Sequence, residues 1–336
     1  GSWWTCVHGY NHPNLKAALI KQLEKMPHIM LGGLAHESAY TLAARLAKIT
    51  PGDLSRVFFS ESGSVSVEVA MKVAVQYWRN LNGENRPKFV AFRGGYHGDT
   101  FATMSVCDPD EGMHAFFGDA LADQYILDLP DTPERAEALD ACLQQHKDIA
   151  AVLVEPLIQG AGGMRMQTPD TLQTMREICD RNGVLLIFDE IFTGFGRTGE
   201  MFAANRAGVT PDIMTLGKAL TGGITPLSAT VVADKIYAAF DNEDFSKALQ
   251  HGPTFTGHAL ACAVAHAAID LIEETGALSK VKQLERDLLA DLSPLASHPN
   301  VKDVRVMGAV AAVEVVPDFD LEAVRAAFIN NGVFIR

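Results

Sequence analysis

The stretch VLLIFDE, residues 184–190, sets five apolar residues in a row directly before two carboxylates. A strand with one wet face alternates apolar and polar residues. A run that is apolar at every position reads instead as a strand covered on both faces, as in a parallel sheet flanked by helices. The same grain recurs in RVFFS (56–60), KFVAF (88–92), IAAVLVEP (149–156), DIMTLG (212–217) and LSATVVA (227–233). Between these runs lie SVSVEVAMKVAVQYWRNL, ERAEALDACLQQH and PDTLQTMREICDRNG, which carry apolar residues at helical spacing. The alternation predicts an α/β fold built on a mainly parallel sheet.

From His258 the run HALACAVAHAAIDLIEETG reads as one long helix. Beyond it the pattern changes to a helix near 279–292, a strand pair within VKDVRVMGAVAAVEVV, a helix in LEAVRAAFINNG and the start of a strand in GVFIR. We therefore expect a large domain over residues 1–275 and part of a smaller α+β domain over 276–336. A first residue other than Met and an apolar last stretch lead us to expect a longer natural chain.

With 336 residues and 48% hydrophobic content the chain can bury a large core. Forty-one acidic against 28 basic residues give a formal charge of −13, which repels a nucleic-acid backbone. The five cysteines are single and scattered, which suits a reducing cytoplasm. No apolar run approaches a membrane span, and no paired ligand spacing among the histidines points to a metal, so their expected roles are capping and packing. GxSxG, Walker and GxGxxG patterns are missing, which disfavours a serine hydrolase and the common nucleotide loops.

In such sheets ligands bind beyond the carboxyl ends of the strands, and the polar clusters fall there: SESGS, RGGYHGDT, EPLIQGAGG, DEIFTGFGRTG and GKALTGG. Ser62-Gly63-Ser64 opens a helix and either holds an anion on its free N–H groups or serves as an ordinary N-cap. Asp189 ends a buried strand, where a carboxylate needs a cation or several donors; an ion pair to Arg197 and a protonated ring nitrogen of a ligand both satisfy it. Lys218 follows DIMTLG without an acidic neighbour, as expected of an amine whose pKa is lowered so that it attacks an aldehyde. Tyr96 sits on a glycine-flanked loop and reads either as a stacking ring or as a half-buried core residue. Glu155 is expected to make structural hydrogen bonds. An anion anchor, a pyridinium carboxylate and an imine-forming lysine together are what pyridoxal phosphate requires.

DEIFTGFGRTG (189–199), PDIMTLGKALTGG (211–223) and HGPTFTGHALACA (251–263) are similar, in type and order, to class III pyridoxal-phosphate aminotransferases of fold type I. The likeness covers essentially all 336 residues. GSWWTCVHGYNHP, SESGSVSVEVAMK, GYHGDTFATMSVCDP and EPLIQGAGGMRM most resemble members that pass the amino group of S-adenosylmethionine to 8-amino-7-oxononanoate in biotin synthesis. Other members act on ω-amino acids or diamines, or use lysine as donor.

The resemblance implies that Lys218 forms the imine with the cofactor and shuttles a proton, and that Asp189 keeps the pyridine nitrogen protonated. Gly63 and Ser64 would hold the phosphate, with Tyr96 and Ile191 on opposite faces of the ring. Thr254 would reach the phosphate of a neighbouring subunit's cofactor, which implies a homodimer with shared sites. Trp3 and Trp4 match the family's aromatic pair, with Trp3 the expected substrate contact. Tyr96 and the backbone of Gly252 would also touch substrate, and Arg336 matches the carboxylate-binding arginine. Arg197 and Asp99 are weaker candidates, since ion pairing and loop capping explain them equally well. The family's N-terminal tyrosine segment has no counterpart in the sequence, and Pro226 is an unusual residue for the loop after the lysine.

Overall fold

The structure, a computed structural model, describes residues 2–110 and 113–335. Seven strands, β1 (Leu54–Ser60), β2 (Lys88–Phe92), β3 (Tyr125–Leu127), β4 (Ile149–Val154), β5 (Leu185–Asp189), β6 (Ile213–Leu216) and β7 (Ser228–Ala233), form one sheet. Their order is β1-β7-β6-β5-β4-β2-β3. The neighbours from β3 across to β6 pair parallel. β7 runs antiparallel to both β6 and β1, so β1 to β6 share one direction and their carboxyl ends lie along one edge.

The longer helices are α1 (Pro13–Lys25), α2 (Glu37–Ile49), α3 (Gly63–Asn82), α4 (Pro133–Gln145), α5 (Pro169–Asn182), α6 (Ala259–Glu274), α7 (Ala277–Leu292) and α8 (Leu321–Asn330). Every residue of β4 and β5 is buried, which is why VLLIFDE carries no polar alternation. Phe92, Phe188 and Phe202 are among the largest fully buried side chains, each contributing about 1.5–3 kcal/mol of apolar transfer. α3 crosses the sheet and is pinned there by Trp78, whose indole N–H donates to the Ala150 carbonyl at 3.0 Å.

After α6 and α7 the chain forms a separate antiparallel pair, β8 (Val301–Met307) with β9 (Val310–Val315), and then α8. Helix α7 is tied to the large sheet's side of the chain by Arg206, which donates to both oxygens of Glu285 at 3.0 and 2.8 Å. The Ala309 N–H adds a bond to the Arg197 carbonyl at 2.9 Å. Where the sequence led to the start of a strand in GVFIR, the described residues 333–335 form none. β3, the short hairpin of Ile158–Gln159 with Arg165–Met166, and helices α1 and α2 add to the elements expected from sequence. No helix among the described residues is long and apolar enough to cross a membrane.

Candidate active site

The segment after β2 runs along the carboxyl edge of the sheet and its N–H groups are held one by one. Gly94 N donates to Asp108 Oδ2 at 2.5 Å, Tyr96 N to Glu155 Oε1 at 2.9 Å, His97 N to Cys107 Sγ at 3.1 Å and Asp99 N to Ser64 Oγ at 3.1 Å. Satisfying each donor fixes the loop without a helix or ladder. Gly98 has φ +128°, and a Cβ there would lie 2.2 Å from Ser64 Oγ. Any side chain at this position would part the loop from the start of α3.

Asp189 closes β5 with both oxygens bonded. Oδ2 lies 2.8 Å from His97 Nδ1, with the two side chains 5% and 1% exposed. Oδ1 accepts from Ile191 N at 3.1 Å and from Thr215 Oγ1 at 3.2 Å. Thr215 stands opposite Asp189 in the β5–β6 register. The structure thus gives Asp189 a histidine neighbour from the loop after β2; among the described residues Arg197 forms no ion pair with it.

Three residues beyond Thr215, Lys218 enters a short 3-10 turn with φ +44°. A non-glycine residue in the left-handed region stores strain that the surrounding packing must override. Its Nζ lies 5.6 Å from the centroid of the Phe192 ring and has no hydrogen-bond or ion-pair partner among the described residues. Burial lowers its pKa and the Arg197 cation adds to that, while Asp189 and Glu155 pull the other way. Such an amine loses its proton more readily than a surface lysine.

Glu155 is fully buried; Oε1 accepts from Tyr96 N and Oε2 from Gly160 N, each at 2.9 Å. Burial pushes its pKa up to about 7, against the pull of His97 and of those two N–H groups. Tyr96 donates its hydroxyl to Asp99 Oδ2 at 2.9 Å, and burial together with that carboxylate pushes the phenol pKa up. Arg197 is half-buried: it donates to the Trp4 carbonyl at 2.9 Å and stacks over the Trp4 ring at 5.4 Å. Its Nε is buried with no partner among the described residues, and burial lowers its pKa.

At the start of α3 the Ser62 hydroxyl accepts from Val65 N at 3.3 Å, the capping arrangement. No acceptor among the described residues meets the N–H groups of Gly63 and Ser64. Ile191 lies over this turn: a Cβ on Gly63 would be 3.0 Å from its Cδ1, and one on Gly217 would be 3.4 Å from its Cγ2.

Lys218, Asp189, Tyr96, Ile191, Gly63 and Ser64 therefore come together from four strand ends. Trp4 joins them at one remove, its ring edge-on to Phe192 at 4.9 Å. Trp3 is 68% exposed, and Gly252 and Thr254 are exposed on the loop before α6. Arg336 lies outside the described residues. Sequence reasoning passed over His97, Phe192 and His114 as site residues; for His97 the signal was its place beside Tyr96 in GGYHGDT. Gly222 and Gly223, with φ +58° and +84°, turn the chain tightly after the lysine and face its own N-terminal segment. Cβ atoms there would lie 2.7 Å from Leu15 Cδ1 and 2.6 Å from Cys6 Sγ.

The site suits pyridoxal phosphate on three counts. An unpartnered buried amine, a buried carboxylate with a donor network behind it, and two free N–H groups at a 20-residue helix start converge on one edge. Among the described residues no group of three or more His, Cys, Asp or Glu side chains is arranged to hold a metal.

The class-III aminotransferase family model matches residues 1–336. The chain is 48% identical over its whole length to the adenosylmethionine-8-amino-7-oxononanoate aminotransferase of Mycobacterium leprae, of which it covers 78%. It is 43% identical to the protein of the same name from Corynebacterium glutamicum, covering 81%. Its structure resembles the crystal structure of adenosylmethionine-8-amino-7-oxononanoate aminotransferase from Methanocaldococcus jannaschii, with a TM-score of 0.93 at 32% identity over 99% of this chain and 80% of that one.

Proposed function

The chain belongs to the class-III aminotransferases and is a pyridoxal-phosphate-dependent transaminase, and on that premise we propose that it transfers the amino group of S-adenosylmethionine to 8-amino-7-oxononanoate, giving 7,8-diaminononanoate for biotin synthesis. The choice of substrates is supported by relatives of that name at 38–48% identity over the full chain. The observation that carries the chemistry is Lys218, a buried amine without a partner among the described residues, two residues past the end of the strand next to β5.

Pyridoxal 5'-phosphate, when bound, supplies an aldehyde and a ring that stores the electron pair left when a substrate C–H bond breaks. Lys218 would hold the cofactor through its Nζ and would be the group that takes and returns the proton at the substrate carbon. Its lowered pKa keeps the amine ready for both roles. Asp189 would hold a proton on the ring nitrogen through its carboxylate, which His97, Ile191 N and Thr215 keep in place. Gly63 and Ser64 N–H groups and the α3 terminus take the phosphate. Tyr96 and Ile191 would flank the cofactor ring.

Trp3 and Trp4 line the substrate side, where the Arg197 cation and the backbone of Gly252 add polar contacts. Thr254, exposed in a single chain, serves the site of a second subunit in a homodimer. The separate β8–β9 pair after α7 supports reading residues 1–275 as the cofactor-binding domain and 276–336 as belonging to a smaller one. A cytoplasmic location fits the five unpaired cysteines.

Single-turnover spectra of the holoenzyme with a donor panel test this reading. S-adenosylmethionine should convert the bound cofactor to its amine form. Conversion by lysine or an ω-amino acid and none by S-adenosylmethionine would overturn the donor assignment.

A further inference from the structure

We propose that His114 is a positioning residue for the reaction, holding Tyr96 and Asp99 from the side away from the cofactor. The inference rests on the reading that Tyr96 faces the cofactor. His114 comes from a 3-10 segment, Met113–Ala120, further along the connection that runs from β2 to β3 and folds back onto its start. Its ring lies nearly parallel to that of Tyr96, with centroids 5.7 Å apart and an interplanar angle of 18°. Its Nε2 lies 2.9 Å from Asp99 Oδ1, while Asp99 Oδ2 accepts the Tyr96 hydroxyl at 2.9 Å. Face and edge of one imidazole thus close a ring of three side chains.

The exposures say which member anchors the others. The His114 side chain is 6% exposed and that of Asp99 57%. A half-wet carboxylate held by Tyr96 alone would turn toward water. The buried imidazole occupies its second oxygen and gives it one orientation. Tyr96 needs that support, because its loop carries Gly95 and Gly98 on either side, and no other aromatic ring stacks on it among the described residues. Offset stacking and the bond through Asp99 fix its ring plane before any ligand arrives, which lowers the ordering cost of binding.

The two contacts separate by substitution. His114→Phe keeps a ring for Tyr96 and loses the bond to Asp99, whereas His114→Gln keeps a donor and loses the face. The probe is pyridoxal 5'-phosphate titrated into apoprotein, followed by absorbance and tryptophan fluorescence, with melting temperature as a check on folding. His114→Ala should weaken uptake about tenfold and lower kcat about tenfold, with KM for each substrate within about twofold, as expected for the loss of one stack and one charge-assisted bond. Phe and Gln should each recover part of the loss.

In a Tyr96→Ala background, His114→Ala should add nothing to the loss of cofactor affinity, because the effect travels through the tyrosine. Equal losses in both backgrounds, or a His114→Ala or His114→Phe protein that matches wild type, would overturn the inference while leaving the site reading intact. Failure of wild-type apoprotein to take up the aldehyde would overturn both.

Discussion

His97→Ala should destabilise the apoprotein by about 2.5–5 kcal/mol, and the size follows from what the imidazole does. Its Nδ1 lies 2.8 Å from Asp189 Oδ2, with both side chains almost fully buried. Without it Asp189 keeps Ile191 N and Thr215 Oγ1 on Oδ1 and has no donor on Oδ2. A hydrogen bond to a buried charge is worth about 1.5–3 kcal/mol, and the lost packing of the ring adds about 1–2 kcal/mol. The sum agrees with the usual cost of stripping one partner from a buried pair.

His97→Asn provides the internal control. Asn Nδ2 stands as many bonds from the backbone as His Nδ1, so it can donate to the same oxygen, and the cost should fall to about 1–2 kcal/mol. Urea unfolding of apoprotein, followed by far-ultraviolet circular dichroism, measures both. A His97→Ala protein within about 0.5 kcal/mol of the parent, or an Asn variant as damaged as the Ala one, would refute the argument that His97 holds Asp189.

Lys218→Ala should still bind cofactor through the phosphate and Asp189 contacts, yet lose turnover by several orders of magnitude; borohydride reduction of wild-type holoenzyme followed by peptide mapping should place a pyridoxyl group on the Lys218 peptide. Gly98→Ala should cost more than about 2 kcal/mol, because its Cβ meets Ser64 Oγ at 2.2 Å and the φ of +128° is strained for any side chain; thermal melting beside wild type measures it, and an unchanged midpoint would contradict the close approach. Glu155, raised from 4.5 to about 7 by burial, holds in the folded protein a proton that the unfolded chain gives up. Its contribution is therefore complete below about pH 4.5 and is lost as pH rises through about 7. Glu155→Gln should flatten the fall in unfolding free energy over that window, and an unaltered slope would reject the assignment; Glu190, also raised to about 7, leaves a residual slope in the variant.

The sheet was legible because burial on both faces erases polar alternation, so β4 and β5 announced themselves as unbroken apolar runs. β3 was not, since three half-buried residues at a sheet edge carry too little pattern. Helices α1 and α2 stand apart from the strand–helix alternation that organised the reading. Lys218 and Asp189 stood out because each charge follows an apolar strand at the carboxyl edge, while neither position alone excluded a surface lysine or an ordinary ion pair. The His97–Asp189 pair was not, for the two residues are 92 positions apart and a histidine between glycines looks like a loop cap. His114 lacked even that cue, as its partners are known only once the chain has folded back.

The packing of residues 5–15 beneath the lysine loop has a practical outcome for anyone recombining members of this family. Gly222 and Gly223 take their left-handed turns against Leu15 and Cys6, and His8 Nε2 reaches the Ala268 carbonyl of α6 at 2.9 Å. The tryptophans that precede this segment therefore arrive on the same piece of chain that supports the floor beneath the amine. A chimera that imports a foreign Trp3–Trp4 stretch to alter substrate range inherits a foreign fit under Lys218 as well. Residues 2–15 and 217–224 form one exchangeable unit, and crossover points that separate them should be the ones that fail to yield active offspring.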